Sequence, residues 1–340
     1  MKNNKSHMLR LKNIGMLVLV PLAVLIVMEC VSFLVSGKHV ISSRVELYNL
    51  AKTTVQLALT ALALSLNMST GRMDFSLGAQ QMIGCIVGGN LALRLGWGPA
   101  GVIVLSVAFG ALSGLLVALL FILTRIPSMV LGIGMALIYE CICFAFSVDG
   151  LQLYGRTGMS ILNDVWFQLL ILAIVLTFYI IINARTKFGY HYKAIRGSQR
   201  IALSMGVNVN LNCLVCYTLA GGTIALAGVF STAYNGVLAS TMGMGSTSLA
   251  FTALLPVFVS FFLGRYTNSA VALTVGALSA RLISVGLVQI AVPDPAVTVI
   301  NYICLTVFLL VSNFTTIFAH KKAVKKRVAL AAADEAASVG

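Results

Sequence analysis

The sequence predicts an all-α, polytopic helical membrane protein of about ten transmembrane helices with both termini cytoplasmic. Three observations lead there. Of 340 residues, 59% are apolar and 9% charged, against roughly 45–50% and about 25% in soluble domains. Apolar runs of about 20 residues, the length that crosses the hydrocarbon core as a helix, recur along the chain. The basic residues collect on alternate connections between those runs.

The runs are read at 14–36, 53–69, 74–93, 98–123, 127–147, 162–184, 211–234, 247–263, 268–290 and 297–318. The second and eighth are short, and polar residues interrupt the third. The first follows a basic start (Lys2, Lys5, Arg10, Lys12) but exceeds a signal-peptide core, so it is read as a retained span. Residues 1–13 then form a cytoplasmic N-terminus, 14–318 the transmembrane domain, and 319–340 a cytoplasmic tail that is either a short interfacial helix or disordered. With the N-terminus inside, Arg72, Arg125, the basic residues of 185–200, Arg265 and the run Lys321–Arg327 all fall on the cytoplasmic side. Lys38, Arg44, Lys52, Arg94 and Arg156 fall outside.

The formal net charge of +14 is thereby spent on topology, and nucleic acid is not expected as a partner. The seven cysteines sit in or beside apolar runs, where they read as small packing residues, Cys213-x-x-Cys216 included. The four histidines (His7, His39, His191, His320) lie outside the spans, and no H-E-x-x-H or G-x-S-x-G occurs. A non-catalytic chain with no metal site follows. G-x-x-x-x-G-K-[ST] is also missing, so this chain has no phosphate cradle of that type.

Polar groups inside the spans are the remaining signals, because an ionised side chain there costs at least about 2.5–3.5 kcal/mol and faces a cavity or a partner. Glu29 reads as snorkelling to an interface or as protonated. Glu140 and Arg281 form a pair, line a solute path separately, or are structural. The segment 67–81 turns between two spans: Gly71 and Gly78 permit a sharp turn and close approach, and Asp74 and Ser76 are placed to cap the next helix. A capped turn and a site for polar groups at a helix N-terminus are both compatible with it.

At this segment a resemblance becomes specific. Thr-Gly-Arg-Met-Asp-Phe-Ser-Leu-Gly at 70–78 resembles the GG-I-D-L-S-V-G signature of ribose-type (simple sugar) ABC importer permeases. The stretch 186–209 is similar to that family's cytoplasmic loop, matched here by Thr186, Phe188, Gly189, Ala194, Ile195, Gly197, Ala202, Gly206 and Val209. Ala220-Gly221-Gly222 through Ala227-Gly228 is similar to its S-G-x-x-A-G-L-A-G. Where the family carries a Gly-rich stretch after the eighth span, only Gly264 stands here between 255 and 268.

The resemblance implies a permease subunit that moves a small solute, a simple sugar first of all, inward by alternating access. Its partners would be an ABC ATPase subunit, a second permease subunit (homo- or heterodimer), an extracytoplasmic solute-binding protein and membrane lipid, in a bacterial cytoplasmic (inner) membrane. ATP and Mg would sit on the ATPase, with no cofactor in this chain. The loop 185–210 would couple to the ATPase, presenting Ile195, Ile201, Ala202 and Met205 to its groove; read without the family, it is a basic loop that fixes topology. The alternative is a secondary transporter or channel using Glu140 and Arg281.

Overall fold

Ser43 opens the central helix of the protein. Its hydroxyl accepts from the N–H of Glu46, whose carboxylate accepts in return from the N–H of Ser43, closing a capping box. The helix runs as α2 over Arg44–Ser69, about 39 Å at 1.5 Å per residue. The expected segment 53–69 is its second part. Every side chain from Val55 to Asn67 is buried, so α2 is enclosed by protein on all sides, and Gln56, Thr60, Ser65 and Asn67 are tolerated there.

The computed structural model describes residues 2–310 apart from 157, 265, 266 and 294. Helix α1 (Lys2–Ser36) lies at the edge: only 11% of its apolar window Leu17–Ser36 is buried, the exposure expected of a lipid-facing helix. It packs on α13 (Ser269–Gln289), where Met28 sits against Gly286. After α2, Gly71 takes φ +77° and the chain reverses. It continues as α3 (Leu77–Met82), a π-helical segment Ile83–Gly89 and α4 (Asn90–Arg94), in place of a regular helix over 74–93.

Two helices clamp that segment. In α5 (Gly98–Thr124) and α10 (Val209–Asn235) glycines meet backbone to backbone. A Cβ on Gly114 would lie 2.2 Å from the Tyr217 carbonyl oxygen, and one on Gly221 would lie 2.1 Å from that of Gly110. Such small-residue contacts drive helix association where water cannot. Helix α10 is the other central element, with 78% of its apolar window buried.

Helices α6 (Ser128–Phe146) and α7 (Val165–Arg185) complete the ring. At one end of the bundle β1 (Leu151–Gln152) pairs antiparallel with β2 (Val237–Leu238). At the other end the loop after α7 folds as α8 (Lys187–Gly197) and α9 (Gln199–Ser204). The chain closes with α11 (Thr247–Phe251), α12 (Leu254–Leu263), α13 and α14 (Pro295–Leu310). The tail 319–340 and the end of the segment expected at 297–318 lie outside the described residues.

Among the described residues, six helices are long and apolar enough to cross a membrane: the α1 stretch, α5, α6, α7, α10 and α13. The protein is a polytopic helical membrane protein. The other expected segments are helical but depart from a regular apolar span. Helix α2 carries polar residues among its apolar ones, which its enclosure permits, α3–α4 is interrupted, and 247–263 is short. Near Gly264, the N–H of Gly264 bonds Ser260 O at 2.7 Å and that of Thr267 bonds Leu263 O at 3.3 Å, so α12 ends without the additional glycines.

Candidate functional site

The turn after α2 is built on Asn67, whose carbonyl accepts from the N–H groups of Thr70 and Arg72. It delivers Asp74 to a place where 3% of its surface is exposed. Oδ1 of Asp74 accepts from Ser76 N at 2.9 Å and from Ser76 Oγ at 2.6 Å; Oδ2 accepts from Gln80 Nε2 at 3.0 Å. These three donors satisfy the hydrogen-bonding capacity of the buried carboxyl group. The expected cap is divided differently: Asp74 takes the N–H of Ser76, and the Ser76 side chain caps no helical N–H. Gly78 is required for close approach, since a Cβ there would lie 1.8 Å from the Ser246 carbonyl oxygen.

Around this turn sit polar atoms with no partner: both side-chain polar atoms of Asn67, Arg72 Nη2, Gln80 Oε1 and Asn212 Nδ2. Arg72, read from the sequence as a topology determinant in a connection, is buried, and its guanidinium donates to Thr70 Oγ1 at 3.3 Å. Nothing local in the sequence marks its burial.

Glu140 and Arg281 do not pair. Glu140 accepts from Met244 N at 2.9 Å, Ser246 N at 2.8 Å and Ser246 Oγ at 2.5 Å. It thereby satisfies irregular backbone between β2 and α11. That backbone runs at the level of Glu140, twelve residues or about 18 Å into α6, where no water is available to do so.

Arg281 instead lines a cavity of about 270 Å³ between α2, α11–α12, α13 and α14, together with Leu57, Phe251, Thr252, Ser284, Asn301 and Tyr302. Its Nε is buried without a partner, as is Asn301 Oδ1. Phe251 separates this cavity from the Asp74 turn, where its ring packs on Phe75 at 5.5 Å.

At the loop after α7, Thr186 Oγ1 accepts from Gly189 N at 3.3 Å and starts α8. Gly189 is pressed on α7: a Cβ would lie 2.5 Å from the Asn183 carbonyl oxygen. Phe188 stacks on Tyr192, whose hydroxyl donates to Ser65 O of α2 at 3.4 Å. Burial pushes that phenol up to about 12, so it stays a donor. Arg196 lies over the Phe261 ring of α12 at 5.5 Å. Ile195 and Ala202 are buried against the protein itself, contrary to the expectation that they face outward. The exposed apolar side chains are Ile201, Leu203 and Met205, the last 73% exposed. Ala202 stands between Ile201 and Leu203 on the opposite face of α9, and sequence spacing alone does not say which face meets the bundle. Ala194 is half-buried, Gly197 faces open space, and Gly206 ends α9 at φ +77°.

Residues 47–312 match the family described as the permease component of branched-chain amino acid transport systems. The chain belongs to this permease family. The motifs at 70–78, 186–209 and 220–228 all lie inside the matched range. The permease is 27% identical to a fructose import permease of Rhizobium meliloti over 66% of each chain. It is 30% identical to a D-allose transport system permease of Escherichia coli over 36% of each chain. It is 23% identical to an autoinducer 2 import system permease of Salmonella paratyphi A over 81% of this chain and 85% of the relative. The chain thus spans 66% and 36% of the first two relatives' lengths and most of the third.

Proposed function

We propose that this permease is the membrane-spanning subunit of an ATP-driven importer that moves a small solute, a simple sugar, inward by alternating access. The family match over 47–312 carries the reading; the names of the fructose, allose and autoinducer 2 relatives support an import permease for small polar molecules. The proposed arrangement has ten spans, both termini in the cytoplasm and a bacterial cytoplasmic membrane as the location.

Within it, α8 and α9 dock on a separate ATPase that holds ATP and Mg, and the contact face is Ile201, Leu203 and Met205, flanked by Lys193 and Arg200. The solute path runs along the enclosed helix α2, past the Arg281 cavity, Phe251 and the Asp74 turn. A second permease subunit and an extracytoplasmic binding protein complete the assembly. The permease breaks no bond; its contribution is the differential stability of two packings. A secondary transporter built on Glu140 and Arg281 is disfavoured, because both Glu140 carboxylate oxygens already accept from the 244–246 backbone.

The test is co-purification with a candidate ABC ATPase and solute-binding protein, followed by ATP hydrolysis in proteoliposomes. Solute-loaded binding protein stimulates hydrolysis in the wild type, and Gly197→Trp, on a site with open space around it, removes the stimulation. Full stimulation in that variant would refute the docking face.

A further inference from the structure

A guanidinium cannot discharge itself by losing its proton, so one held mid-helix beside an apolar cavity calls for an anion; Arg281 is half-buried, with its Nε fully enclosed. Arg281 meets none among the described residues. The carboxylate of Glu29 is taken by His39 and by the N–H of Val40. The ionisable group that faces Arg281 is the phenol of Tyr234 on α10, not a carboxylate. Arg281 also stands in the middle of its helix. It stands twelve residues from the start of α13 and eight from its end, about 18 and 12 Å along the axis.

The cavity around it has the volume and lining of a small-solute site. At about 270 Å³ it lies at the lower edge of ligand pockets, which run from about 300 Å³ upward. Asn301 Nδ2 donates to Ser284 Oγ at 3.1 Å, and this leaves Asn301 Oδ1 fixed in place as an unused acceptor. Leu57 and Leu255 supply apolar wall. The site therefore offers one permanent cation, an acceptor for a hydroxyl group, and apolar surface for C–H faces.

We infer that the Arg281 cavity binds an acidic sugar: a polyhydroxy solute carrying a single carboxylate. The inference rests on the importer reading for its role in transport, but not for the binding itself. A neutral sugar would leave the cation uncompensated. A phosphate ester brings about −1.5 to −2 charges to a cavity with one positive group. One carboxylate balances the charge and matches the planar guanidinium with two parallel hydrogen bonds, while a ligand hydroxyl donates to Asn301 Oδ1.

The experiment is equilibrium binding of radiolabelled D-gluconate and D-glucose to the full chain in phosphatidylcholine nanodiscs. Expected is saturable gluconate binding at least tenfold tighter than glucose binding. Arg281→Gln weakens it at least tenfold, Arg281→Lys less, and Asn301→Ala several-fold. Equal affinity for the two sugars, absent gluconate binding, or binding unchanged in a folded Arg281→Gln would overturn the assignment. If Arg281→Gln does not fold, Arg281→Lys and Asn301→Ala decide, and wild-type affinity in both counts against it. Displacement of gluconate by phosphatidylglycerol in the disc would identify the anion as lipid and equally refute the solute site. Because no ATPase is present, ATP-dependent uptake of a neutral sugar by the full assembly would leave the importer reading standing even where this inference fails.

Discussion

Glu140 and Ser246 stand 106 positions apart in the chain and are joined by two hydrogen bonds, from Ser246 N at 2.8 Å and Ser246 Oγ at 2.5 Å, to one carboxylate oxygen. With Met244 N on the other oxygen, the side chain of α6 does for 244–246 what a further turn of helix would otherwise do. This explains why the eighth apolar segment is short: part of its path is irregular backbone.

Glu140→Ala leaves the buried N–H and hydroxyl of Ser246 and the part-buried N–H of Met244 without their acceptor. Each uncompensated group costs about 1–3 kcal/mol, so the variant should lose several kcal/mol and melt earlier in detergent. Glu140→Gln keeps one acceptor and should fall between. A wild-type melting curve for Glu140→Ala would show that another group satisfies this backbone.

Gly78→Ala should fail to assemble. Its Cβ would stand 1.8 Å from the Ser246 carbonyl oxygen, and the obstacle is backbone. Overpacking of this kind costs about 1–3 kcal/mol or more. Gly134, where an added methyl group would meet nothing within 4 Å, is the control: Gly134→Ala should express and elute like the wild type in size-exclusion chromatography.

Glu46 supplies a pH test outside the membrane. The N–H groups of Ser42 and then Ser43 hold its carboxyl below the usual carboxylate range. The stability this contributes is present above the unfolded-chain value near 4.3 and is lost as pH falls through the lower folded value. Glu46→Gln should therefore melt below the wild type at pH 7, and the gap should close in acid below about pH 4. A gap that persists unchanged at low pH would mean that shape, not charge, matters at this cap.

Ile201→Glu and Met205→Glu place charge on the exposed face of α9 and should leave melting within about 0.5 kcal/mol of wild type, as exposed substitutions do. ATP hydrolysis stimulated by the binding protein should fall at least tenfold. Ile195→Glu, on the buried side of α8, should instead reduce expression. Swapped phenotypes would mean that the helix pair docks the other way round.

Much of this architecture is legible in the sequence. Expected 98–123, 127–147 and 268–290 are helices Gly98–Thr124, Ser128–Phe146 and Ser269–Gln289, because long lipid-facing runs have a strong compositional signal. The early start of α2 has a local signal too, Ser43-x-x-Glu46, that span-by-hydropathy reading passes over. The π-helical segment has none beyond its glycines. Glu140 and Arg281 stand out in the sequence as polar residues within spans, and pairing is one reading of them. Opposite charge suggests a pair, whereas the partner of Glu140 is backbone, which sequence does not label.

Tyr192 holds α8 to Ser65, and eight residues further back on the same helix Leu57 forms cavity wall, about 12 Å away along the axis. One rod thus has a handle in the loop and a tip at the Arg281 chamber. A tug that displaces Ser65 displaces Leu57 by rigid translation, with no relay of rotamer changes in between.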